Sequence, residues 1–61
     1  METKMEFVES TVQGVFNVFA DNAYVGSIIK VRREYVFNSN APSLTAEKLR
    51  LIAEFMENKN D

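Results

Sequence analysis

The chain has 61 residues, 7 Lys plus Arg against 9 Asp plus Glu, a formal net charge of -2 and 46% hydrophobic residues. With no Cys and no His, a disulfide framework and a zinc finger or knuckle are excluded, so a domain this small lacks its usual staples. No apolar run nears the ~20 residues that span a bilayer, and Met1 to Ser10 lacks the basic-then-apolar order of a signal peptide. The expectation is a cytoplasmic protein that contacts no membrane.

Residues 1–11 read as an N-terminal extension whose type stays open. Met5, Phe7 and Glu9 alternate as in a weak strand, whereas Met5, Val8 and Val12 fall at helical spacing. From residue 12 to 38 β-branched and aromatic residues dominate, which predicts an antiparallel meander. Its first strand places Val12, Phe16, Val18 and Ala20 on one face, with Gly14 as a bulge or close approach. Asp21-Asn22-Ala23 then breaks the pattern, and both Asp and Asn tolerate the left-handed conformation of a short hairpin. The second strand, Tyr24 to Arg32, sets Val25, Ser27, Ile29 and Val31 against Tyr24, Ile28, Lys30 and Arg32. A turn at Arg32-Arg33-Glu34, without the Gly or Asn that turns favour, returns the chain through Tyr35, Val36 and Phe37.

After the connection Asn38 to Ser43, Pro42 disfavours helical backbone at Ala41. Thr45 is a good N-cap, Glu47 suits the positive end of the helix dipole, and Leu44 can staple onto Leu49. A helix from Ala46 to Asn58 follows. Leu49, Ile52, Ala53 and Met56 form its expected buried stripe, packed on Phe16, Val18, Ile29, Val31 and Phe37. Leu51 and Phe55 widen the apolar arc to roughly 200°, about twice what one sheet face needs. Either the N-terminal element or the hairpin covers them, or they form a subunit or partner interface.

The fold class is therefore α+β: a three-stranded antiparallel meander (residues 12–38) against one C-terminal helix (residues 45–58), in a single domain. Ordering 61 residues costs about 90 kcal/mol. Burying the ~3,500 Å² of apolar surface that a chain this size hides returns nearly the same amount at ~25 cal/mol per Å². A monomer is marginal, and a partner that covers more apolar surface is expected.

Catalytic chemistry finds little purchase. Without His the commonest base for a Ser or Thr nucleophile is missing, and the hydroxyl residues have turn, cap or strand positions to fill. Carboxylates alone would have to hold a metal, yet no oxygen-rich loop is present. Gly14 and Gly26 match no phosphate-binding fingerprint. We therefore expect no enzyme, no cofactor, no metal and no small-molecule substrate. A protein–protein interaction module, binding a partner or itself as a homodimer, suits the apolar fraction and the wide helix face, with Leu51 and Phe55 as interface candidates. The alternative is a small DNA-binding protein that uses the exposed face of its sheet. Its candidates are Lys30, Arg32, Arg33 and Tyr35, cations beside an aromatic ring. The net charge has the wrong sign for that role, and three cations neutralise only about three phosphates.

Two segments, Tyr24-Val25-Gly26-Ser27-Ile28 and Leu44 through Ala53, carry a resemblance. With the residues around them they resemble short uncharacterised proteins of bacteriophages and prophages, in which a Y-V-G-x-I strand precedes an L-T-x-E-x-L-x-x-I-A helix. The resemblance implies an accessory or regulatory protein in the cytoplasm of a bacterial host cell. In its order of elements the chain also resembles the arm-type DNA-binding domain of some integrases, whose sheet face binds DNA. That likeness implies a role for Lys30, Arg32, Arg33 and Tyr35. It departs from that pattern where a basic first strand would stand, since Phe16-Asn17-Val18-Phe19 occupies the place.

Overall fold

The computed structural model describes residues 3–59. Four strands, β1 (Met5–Glu9), β2 (Val15–Ala20), β3 (Ala23–Val31) and β4 (Glu34–Ser39), precede one helix, α1 (Ala46–Lys59). The strands form one antiparallel sheet in chain order, β1-β2-β3-β4. The fold is α+β as expected, but the sheet has four strands and not three. The missing strand, Met5–Glu9, lies within the N-terminal extension, whose residues 1 and 2 are outside the described residues: Met5 pairs with Ala20, Phe7 with Val18 and Glu9 with Phe16. Pairing of this kind rewards the short alternation in MEFVE, which alone would be a weak strand signal.

Local chemistry explains each connection. Between β1 and β2, Val15 N–H donates to the Val12 carbonyl at 3.2 Å, closing a turn whose third residue is Gly14 at φ +85°. That is the φ a type II turn requires there, so Gly14 serves a turn and Val12 lies outside the strand. Asp21 and Asn22 occupy the β2–β3 hairpin with φ of 51° and 71°, the left-handed pair that this tight turn demands. Asp21 also fastens β1 to the sheet, since its N–H donates to the Lys4 carbonyl (2.8 Å) and its carboxylate accepts from Lys4 N–H (3.0 Å). At the β3–β4 hairpin Arg32 takes φ 61° although it carries a side chain.

β3 departs most from expectation. Its pairing with β2 shifts between Val18 and Phe19, because Val18 pairs with Gly26 and Phe19 with Tyr24, leaving Val25 as the extra residue. This bulge changes the phase of the alternation. Ile28 therefore points into the core and is fully buried, while Ile29 and Val31, expected beneath the helix, lie on the other face. Gly26 allows close approach to β4: a Cβ there would stand 2.5 Å from the Asn38 carbonyl oxygen and 2.9 Å from the Phe37 ring.

Thr45 caps α1 through its hydroxyl, which accepts the Lys48 N–H at 3.2 Å. The helix crosses one face of the sheet, from Thr3, whose hydroxyl donates to Glu47, to Phe16, where Lys59 lies 5.0 Å above the ring. Its buried stripe is turned by roughly 60° from the expected one at ~100° per residue. Ile52 is 1% exposed and Phe55 and Met56 pack on the core, whereas Leu49 is 47% exposed and Ala53 is exposed. The rotation follows from size, because seating Phe55 removes far more apolar surface from water than seating Ala53. The core joins Phe16, Val18, Ala20, Val25, Ile28 and Ile52.

Candidate functional site

The two interface candidates of the helix have different surroundings. Phe55 stacks on Phe7 with ring centroids 4.0 Å apart and planes 7° from parallel, and meets Phe16 edge-on at 5.4 Å. Strand β1 thus covers it within the chain. Leu51 is half-buried beside Thr3, Glu47 and Arg50, which line an open depression of about 250 Å³.

The four nucleic-acid candidates do come together, at one end of the molecule. Lys30 pairs with Tyr35 in the β3–β4 ladder, and its ammonium sits 5.7 Å from the Tyr35 ring. Both side chains share the parity of buried Ile28, so they belong to the helix-bearing face, beyond the end of the core. Arg32 and Arg33 form the hairpin tip. Tyr35 lies 6.3 Å from Phe16, and Lys59 caps Phe16 and Phe55, so lysines flank the aromatic cluster. Lys30 and Lys59 lie on the helix-bearing side of the sheet, not on its helix-free face.

That helix-free face is the feature that strand-by-strand reading missed. Register places Val15, Ile29 and Val36 side by side in one row across β2, β3 and β4. Phe19 and Tyr24 form a second row, with rings 5.7 Å apart and nearly perpendicular. Between these rows runs a polar line, Asn17, Ser27 and Asn38. The Tyr24 and Ser27 hydroxyls share a hydrogen bond of 2.7 Å. Val31 and Val36 are 50% and 48% exposed, and Val8 and Tyr24 are also among the large apolar residues open to solvent. Among the strand residues described, charges enter this face only at its margins, through Glu6 on β1 and Glu34 on β4.

An antiparallel sheet with one solvated face normally alternates apolar inward with polar outward residues. Here apolar residues fill most outward positions as well. The bulge is the local cause, because it assigns Ile28 to the core and thereby sends Ile29 and Val31 outward. The signal in the sequence was the run Ile28-Ile29, which supplies an apolar side chain to both faces of the sheet.

Among the described residues no cluster of three or more Asp and Glu side chains could hold a metal ion, and no helix is long and apolar enough to cross a membrane. No protein-family model matches the chain, and neither curated proteins nor solved structures provide a match.

Proposed function

We propose that the protein is a non-enzymatic interaction module that docks another protein on the helix-free face of its sheet. The observation that carries this reading is the uncharged apolar row Val15–Ile29–Val36, continued by half-exposed Val31 at one end and by Phe19 and Tyr24 beyond the polar line. Contiguous apolar surface of this kind costs free energy in water and gains it when covered. The partner that fits is a flat, uncharged protein surface with amide or hydroxyl groups opposite Asn17, Ser27 and Asn38. The proposed face lies opposite Leu51 and Phe55, because β1 already occupies Phe55.

The test uses two baits besides the natural chain. Ile29→Lys places a charge at the centre of the face, and Leu49→Lys places one on the outer side of the helix. Each is presented to the same cell lysate after circular dichroism confirms the fold. A protein retained by the natural chain and by Leu49→Lys but released by Ile29→Lys supports the reading. Identical retention by all three baits, or retention by none, overturns it.

A further inference from the structure

The free side of β4 offers a second surface, made of backbone and independent of the helix-free face. β4 is a terminal strand of the sheet and, among the described residues, is bonded only to β3. Asn40 N–H donates to the Val25 carbonyl at 2.8 Å, which fixes the phase of the ladder. By alternation, Glu34, Val36 and Asn38 direct their N–H and C=O groups at β3, and Tyr35, Phe37 and Ser39 direct theirs outward. Proteins blunt such edges with Lys, Pro, bulges or inward charges. β4 carries one charge, Glu34 at its first residue, and the run Tyr35 to Ser39 has none of these devices, whereas the opposite edge, β1, carries Glu6 and Glu9 in its five residues.

We infer that β4 pairs antiparallel with β4 of a second copy of this chain, with Phe37 on the two-fold axis. This register is self-complementary. Tyr35 meets the partner's Ser39, Phe37 meets the partner's Phe37, and every outward N–H and C=O of the strand finds its mate. Val36 faces the partner's Asn38 and Glu34 faces the partner's Asn40, so no like charges oppose each other across the seam.

Area gives a second reason for a second copy, one that rests on the docking reading. Four strands ~4.8 Å apart, each about six residues long at ~3.3 Å per residue, make a face of roughly 400 Å². Stable protein interfaces bury about 800 Å² on each partner. A two-fold axis perpendicular to the sheet sets both helices on one side and joins the two helix-free faces into one surface of about that size. Self-pairing goes beyond the docking reading and stands on the edge geometry even where that reading fails.

Sedimentation of the full chain from about 1 µM to 1 mM, together with amide exchange at both ends of that range, tests the pairing. The expected result is a reversible dimer in which exchange at Tyr35, Phe37 and Ser39 slows with concentration while Met5, Phe7 and Glu9 stay unaffected. Ser39→Pro removes one outward N–H that no internal ladder bond uses, and it should weaken the dimer at least tenfold. Ile29→Lys should leave dimerisation within twofold of the natural chain. A monomer throughout, unchanged exchange along β4, or assembly into species larger than a dimer overturns the inference. A dimer abolished by Ile29→Lys but untouched by Ser39→Pro also overturns it, while leaving the helix-free face as a docking surface. Exchange in the natural chain decides the matter should Ser39→Pro not fold.

Discussion

Phe7 on β1 and Phe55 on α1 lie ring over ring with 4.0 Å between centroids. The pair joins the two ends of the chain and accounts for the placement of the helix. An aromatic pair contributes about 0.5–1.5 kcal/mol beyond the area it buries. Phe7→Leu and Phe55→Leu should each lower stability by about 1 kcal/mol or more. Urea denaturation of both and of the double variant should give a coupling of about 0.5–1.5 kcal/mol; strictly additive losses would contradict the stack.

Gly26→Ala should be among the most damaging single-methyl changes in the chain. The new Cβ would stand 2.5 Å from the Asn38 carbonyl oxygen, against backbone that cannot give way without breaking the β3–β4 ladder. A loss of about 3 kcal/mol is expected, which leaves a domain this small largely unfolded. At Gly14 the same methyl meets only Lys30 Cβ at 3.4 Å, and the cost is that of the positive φ, about 1–2 kcal/mol. Thermal unfolding of the two variants should separate them clearly.

Arg32 holds a left-handed backbone that Gly or Asn would adopt at less cost. Arg32→Gly should therefore stabilise the protein by up to about 1 kcal/mol, part of the relief being lost to the greater freedom of Gly in the unfolded chain. In a domain of this size 1 kcal/mol corresponds to a Tm rise of about 4–8 °C. A lower Tm would show that the Arg32 side chain contributes more than its backbone costs.

The helix face is tested by a contrast within α1. Ile52→Ala should cost about 2–4 kcal/mol, since Ile52 is 1% exposed at the centre of the core. Leu49→Gln, at an outward position, should change stability by less than about 0.5 kcal/mol. Thr45→Ala should cost about 1 kcal/mol through the lost cap, and Thr45→Asp should restore it. Urea midpoints at fixed slope measure all of these.

The features legible in the sequence were those determined over a few residues. Thr45 with Glu47 marked the start of the helix, and Asp21-Asn22 marked the hairpin, because capping and left-handed backbone are local properties. The phase of β3 was not legible. It depends on Gly26 accommodating Phe37 and the Asn38 carbonyl from the next strand, a relationship between residues eleven and twelve positions apart. The face of the helix depended on still more distant Phe7. The surplus apolar width at Leu51 and Phe55 was real, but β1 absorbs it at Phe55. The uncovered surface lies on the opposite side of the sheet, where a one-residue shift in β3 exchanges the inward and outward sets.

Strand order equal to chain order also has a kinetic consequence. Each hairpin closes over a short loop, so the sheet can assemble with little loss of chain entropy at each step. The docking of α1, through Thr3 with Glu47 and Phe7 with Phe55, joins parts of the chain more than forty residues apart. During synthesis the four strands emerge before the helix that shields Val18 and Ile28. For that interval the nascent sheet shows apolar residues on both sides and, from Tyr35 to Ser39, an edge without charge, which makes the interval before the helix arrives the stage at which this chain is most prone to aggregate.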